Sequence, residues 1–325
     1  MEKNNIEINS IEKSYTANDL IMLADLVGKS ILMNYALNVI TVIIGELVLK
    51  IIKIIGISLD QESFSTIVSY IGTIFSEIIT FMWIAKQMKI KIVDIVKKKE
   101  KPGRDIRKYV YFLFTAQLIG ILAYLVIQEA SAIYGVSWEG IALQMPASSI
   151  FMSILYFIFV CIAVPIAEEL LFRGAILKSL LPYGKRVAII ASAALFGLLH
   201  GNFMQIPFAF LAGIIFGYIA VKSDSIYYSI VLHIINNTWS ALNELAYINK
   251  SVISIIFSMA LVLFGFVGLI ILIRDRKKIL NFSDNNLNLD IEDNTKAYKY
   301  LFKSFWMWCT LIIMIIFCLF SGYIK

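Results

Sequence analysis

With 325 residues, of which 59% are hydrophobic and 16% charged, the chain is too apolar for a water-soluble domain and belongs with polytopic membrane proteins. Its net charge of +6 invites a nucleic-acid reading, but no aromatic interleaving or folded module accompanies the basic residues, which disfavours nucleic acid as a partner. The three cysteines, Cys161, Cys309 and Cys318, sit in apolar runs without ligand spacing, which argues against a disulfide framework and a zinc knuckle.

Residues 1–27 are mixed in charge and lack an apolar core after a basic start, so they read as a polar cytoplasmic lead-in rather than a signal peptide. Apolar stretches near the ~20 residues a bilayer requires follow at 31–55, 64–86, 109–133, 149–178, 187–203, 206–222, 226–245, 252–273 and 301–323. These predict an all-α, polytopic integral membrane helical bundle of about eight to nine transmembrane helices. The chain divides into N-terminal helices over 28–148 with a basic linker at 87–108, a central helical core over 149–245, and C-terminal helices over 246–325 with a polar cytoplasmic loop at 274–299.

Charge fixes the expected threading. Lys86, Lys89, Lys91, Lys97, Lys98, Lys99, Lys101, Arg104, Arg107 and Lys108 crowd one linker, which the positive-inside rule assigns to the cytoplasm. Alternate loops agree, with Lys178, Lys185, Arg186, Lys222, Arg274, Arg276, Lys277 and Lys278 inside and Asp60, Glu62, Glu129, Glu139 and Glu244 outside. The expected protein is thus a multi-pass protein of the cell membrane with a cytoplasmic N-terminus. Within the spans, Glu46 and Lys50 stand four apart as a self-satisfied pair, and Glu77 reads as a packing or hydrogen-bonding group of the bundle interior.

The segment Pro165 to Arg173 is different, because it sets two adjacent carboxylates and an arginine inside an apolar helix. Each ionised group near a bilayer centre costs at least ~3 kcal/mol, so such groups pair, line a wet cavity, or both. Glu169 and Arg173 stack four apart and make the natural ion pair, leaving Glu168, turned ~100° away, for another neighbour. Pro165 removes a backbone donor, frees a carbonyl near Cys161 and predicts a kink beside Glu168.

The only two histidines of the chain lie on two further helices. His200 closes the run from Phe196, and His233 is followed one turn later by Asn237 on the same face. Counting ~1.5 Å per residue, Glu168 lies ~15 Å from Lys178, His233 ~16 Å from Lys222 and His200 ~21 Å from Arg186, levels that agree within about one turn. The short turn Leu181-Pro182-Tyr183-Gly184 makes its flanking helices antiparallel neighbours, which brings Glu168 toward His200. Gly213 and Gly217 read as small residues that permit close helix approach, and Phe196 as a packing aromatic.

Glu168-Glu169-x-x-x-Arg173, Phe196-x-x-x-His200 and His233-x-x-x-Asn237, in this order on successive helices, resemble the CPBP intramembrane proteases, which include the CAAX-processing endopeptidases and the bacterial Abi proteins. The resemblance covers about residues 149–240. It implies an intramembrane endopeptidase in which Glu168 is the general base that activates water, His200 holds and polarises that water, His233 and Asn237 stabilise the oxyanion, and Glu169 with Arg173 fixes the helix behind them. Its substrates would be peptide precursors or lipidated proteins at the membrane lipid, through bacterial peptide processing, bacteriocin immunity or CAAX-type processing.

A second reading gives Glu168, His200 and His233 to Zn²⁺ with an open water position, although no His-Glu-x-x-His helix is present; water activated by glutamate without a metal is preferred. Two further classes compete with the enzyme. One is a non-catalytic immunity or scaffold protein that keeps the fold. The other is a transporter using the buried charges as an ion path, disfavoured because no pair of broken helices stands in corresponding halves.

Overall fold

The computed structural model describes residues 16–56, 60–97, 106–138, 150–280, 294–320 and 322–324. The start of the expected lead-in, part of the basic linker, Glu139 and half of the polar loop lie outside the described residues.

Helix α1 (Ala17–Ile54) begins well before the expected position 31, inside the stretch read as a polar lead-in. A capping box explains this: the Asp19 amide donates to Thr16 Oγ1 at 3.2 Å, and the Thr16 amide donates back to Asp19 at 2.9 Å. Leu20, Leu23, Ala24 and Val27 then recur at helical spacing and are buried. Helices α2 (Gln61–Gln87), α3 (Ile92–Val96) and α4 (Ile106–Ala132) follow, and α4 leads into a short strand β1 (Val136–Trp138). Ser65 donates to Glu46 at 3.2 Å, so that carboxylate is satisfied from α2 rather than by the expected Lys50.

The expected single helix at 149–178 is built in pieces: α5 (Ile150–Ile158), a π-helical stretch Phe159–Ala163, α6 (Val164–Glu169), a second π-helical stretch Leu170–Leu177 and α7 (Lys178–Leu180). A 3₁₀ turn Leu181–Tyr183 reverses the chain into α8 (Lys185–Leu199), as the spacing predicts. Helices α9 (Ile206–Ser223), α10 (Tyr227–Ile248), α11 (Val252–Leu280), α12 (Asn294–Leu301) and α13 (Phe305–Phe320) complete the bundle. A last strand, β2 (Gly322–Ile324), pairs antiparallel with β1, Val136 opposite Ile324, and is the one departure from an all-helical chain among the described residues.

The fold is therefore a polytopic helical bundle. Five helical segments are long and apolar enough to cross a bilayer, Ser63–Gln87, Ile106–Ala132, Ile150–Tyr183, Ile206–Ser223 and Val252–Lys277, with Phe305–Phe320 as a shorter apolar helix. Helices α1, α8 and α10 pack among them and account for the remaining expected spans. The main core joins α1 and α2 to the 171–189 segment through Leu20, Ile31, Phe81, Ile84, Leu171, Phe172, Ile176 and Val187.

The last helix docks where α1 has no side chain in the way. Thr310 Oγ1 donates to the Gly28 carbonyl at 2.8 Å, and a Cβ at Gly28 would sit 2.6 Å from the Trp306 carbonyl carbon. Backbone cannot yield as a side chain does, so Gly28→Ala is expected to destabilise the protein by about 1–3 kcal/mol. Unfolding of the purified variant by a denaturing detergent would measure it, and an unchanged midpoint would contradict this packing.

Candidate active site

Pro165 sets the local geometry on the first wall of the site. In the π stretch before it, the Val164 amide reaches back to the Phe159 carbonyl, one residue further than in an α-helix. The next donor in that pattern would be the amide of Pro165, which does not exist, and the orphaned acceptor is the Val160 carbonyl. Asn237 of α10 supplies the missing donor, its Nδ2 meeting Val160 O at 2.9 Å. The freed carbonyl is thus one residue earlier than an α-helical count gives, and the distortion ties the Glu168 helix to the helix of His233.

One turn deeper, Glu169 and Arg173 form the expected pair, with Nη1 donating to Oε1 at 2.8 Å and both side chains sealed from solvent. Arg173 Nη2 also donates to the Gly213 carbonyl at 3.2 Å, where the glycine lets α9 come within 3.0 Å of Ala193 on α8, measured from an added Cβ. The guanidinium lies 4.4 Å from the Phe196 ring centre and 5.2 Å from that of Phe216, which adds about 2 kcal/mol in a dry setting. Phe196 does more than fill space, because its ring also meets both histidine rings, at 4.8 Å for His200 and 5.8 Å for His233.

His233 is held between the two glutamates. Its Nδ1 lies 3.0 Å from Glu169 Oε1 and its Nε2 lies 3.4 Å from Glu168 Oε2, while its ring stacks on Phe216 at 4.7 Å. Glu169, already bound to an arginine, can only accept, so Nδ1 carries a proton. A bare Nε2 facing a bare carboxylate oxygen would repel it, so one proton resides between His233 and Glu168. Either placement of that proton leaves the set Glu168, His233, Glu169 and Arg173 neutral overall.

His200 is fixed the opposite way round. Its Nδ1 lies 2.8 Å from the Phe196 carbonyl, which only accepts, so Nδ1–H donates and the Nε2 of the neutral ring carries a lone pair. Glu168, His200, His233, Asn236 and Asn237 all line one cavity of about 480 Å³, with Phe196, Phe208, Phe216 and Tyr70 among its apolar walls. The residues marked from the sequence thus converge, Glu169 and Arg173 lying behind the wall.

Two further polar groups belong to the surroundings. Gln117 on α4 donates to Asn236 Oδ1 at 2.8 Å, and Asn236 donates to Asn237 Oδ1 at 3.1 Å, so a chain of amides runs from α4 to Val160 O. Gln117 lies outside the motif-bearing segment; its only sequence signal is a lone amide in an apolar helix. Glu77, on the α2 helix that packs against α6, is buried. Gln117→Leu is expected to leave Asn236 Oδ1 without its donor, at a cost of about 1–3 kcal/mol. Unfolding of the variant in detergent checks this, and a wild-type midpoint would contradict the amide chain.

Among the described residues no three His, Cys, Asp or Glu side chains converge closely enough to hold a metal ion. The zinc set read from the sequence, Glu168, His200 and His233, is therefore not assembled as a three-ligand group.

A membrane helical bundle with a buried carboxylate, two imidazoles and amides around a cavity has the make-up of a membrane-embedded hydrolase. Residues 150–239 match the family model described as type II CAAX prenyl endopeptidase, Rce1-like, and this bears out the resemblance to the CPBP proteases over that segment. The matched segment holds Glu168, Glu169, Arg173, His200, His233 and Asn237. No curated protein and no solved structure matches the chain significantly.

Proposed function

We propose that the protein is a peptidase of the cell membrane that hydrolyses a peptide bond with water activated by Glu168. The observation that carries this reading is the ladder Glu168, His233, Glu169, Arg173, whose first member opens on the cavity while its last is sealed. In the ionised state of the ladder, Glu168 takes one proton of a water whose other O–H donates a hydrogen bond to His200 Nε2, and the resulting hydroxide attacks the substrate carbonyl. The oxyanion is met by the second Asn237 amide hydrogen and by the Nε2 proton of His233, donors worth several kcal/mol in a water-poor site. Glu168 then passes its proton to the leaving amine, which restores the carboxylate. By the positive-inside rule the basic linker and the N-terminus lie in the cytoplasm. Substrates are peptide precursors or lipidated proteins at the bilayer, with CAAX-type processing and bacterial peptide processing or immunity as the biological settings.

Cleavage of a peptide library by detergent-purified protein, read by mass spectrometry with a parallel chelator arm, tests the reading. Products that persist in chelator are expected. Products lost on chelation would overturn the metal-free mechanism, and no products even in lipid nanodiscs would favour a non-catalytic immunity or scaffold protein.

A further inference from the structure

The cavity has a direction that the motifs do not reveal. The basic segments meet at one end of the bundle: Lys108 pairs with Asp275 at 3.3 Å, Lys178 with Asp224 at 2.9 Å, and the Ile226 amide donates to the Ile95 carbonyl at 2.8 Å. The end of α2, the linker helix α3, the start of α4, the 178–186 turn, the α9–α10 turn and the tail of α11 therefore lie together.

The cavity runs the other way. Phe196, Ala212 and Phe216 floor it beside Glu168 and His233, and from that floor it extends past Ser69, Tyr70 and Thr73 of α2, Val160 and Val164, Gln205 and Phe208, and Asn236 and Ser240 of α10. These latter residues lie beyond Glu168 as seen from the basic end, Tyr70 ~24 Å along its helix from Lys86 and Val160 ~27 Å from Lys178. On the basic side of Glu168 the protein is closed, since Glu169, Phe172, Arg173, Leu177 and Ser192 are almost wholly buried. Exposure rises toward the other end, where Ser69 is open and Ser240 and Gln205 are half-buried. Trp138, on the strand that pairs with β2, stacks at 5.5 Å on Phe203 in the loop between His200 and Gln205, so this mouth is also braced.

We infer that substrate reaches Glu168 from the face opposite the basic segments. With positive-inside threading that is the extracytoplasmic face, and among the settings proposed above this selects an exported peptide or the outer segment of a membrane protein over CAAX-type processing of a cytosolic chain end. The inference rests on reading the cavity as a peptidase site.

Single cysteines at the mouth, Ser240→Cys, and at the basic end, Lys89→Cys, test it with a membrane-impermeant maleimide, the wild type reporting any labelling of Cys161, Cys309 and Cys318. Ser240→Cys should label in intact cells and lose labelling in inverted vesicles, with Lys89→Cys the reverse. Labelling of both from one face, or of Ser240→Cys from neither, overturns the inference. Library cleavage by the wild type and by Lys89→Cys in detergent, where sidedness is abolished, shows separately whether the peptidase reading stands, and the unfolding midpoint of Ser240→Cys shows that it is folded.

Discussion

Glu168→Gln is expected to lower kcat by about 10²–10⁴-fold, the usual contribution of a general base, while leaving the protein folded. The amide can donate to the His233 Nε2 that the carboxylate now faces at 3.4 Å, so the ladder behind it stays intact. What is lost is the ability to take a proton from water. Substrate affinity should change little, because glutamine keeps the shape of the glutamate it replaces in the cavity wall, and the deficit should lie in kcat with KM near the wild-type value. Steady-state kinetics on a peptide identified from the library, with an unfolding midpoint for the same preparation, would check this. A variant that retains most of the turnover would remove Glu168 from the chemistry.

The second large effect concerns stability. Arg173→Met removes the counter-charge of a carboxylate that is fully buried, and breaking such a pair from one side costs about 3–5 kcal/mol. The paired replacement Glu169→Gln with Arg173→Met should recover much of that loss, since it leaves no isolated charge behind. Arg173→Lys is expected to behave more like the methionine variant than like wild type. The guanidinium holds Glu169 with Nη1 and Gly213 O with Nη2 while lying against Phe196 and Phe216, and one ammonium cannot reproduce that fork. Denaturing-detergent titrations of the three variants would decide it. Equal loss in the single and double variants would mean that the pair contributes through packing alone.

The amino-acid sequence by itself determined the class and the cast. A run of apolar stretches of bilayer length needs no tertiary information to be read as spanning helices, because in hydrocarbon every backbone group is satisfied within its own segment. The same economics made the site legible: ionisable groups in such a helix are expensive, so Glu168, Glu169, Arg173, His200 and His233 stood out one by one, and their levels could be matched by counting rise along each helix. The Glu169–Arg173 pair was local, four residues apart on one helix, and for that reason could be foreseen.

Other features depend on contacts between segments far apart in the chain, and only the tertiary structure decided them. His233 lies between two glutamates rather than beside one because α10 packs on α6 and on the π stretch before it, 64 positions away in sequence for Glu169. Asn237 has a backbone partner because a π-helical register, not an α-helical one, surrounds Pro165 and moves the orphaned carbonyl to Val160. Gln117 joins the site from 119 residues away through a hydrogen bond that no periodicity encodes. The zinc reading lacked support because, although three suitable residue types were present, no three of them form a metal-holding group among the described residues. Spacing along a chain fixes which residues share a helix face and a depth, whereas the direction of a ring nitrogen and the open end of a cavity are set by how faces from distant segments pack.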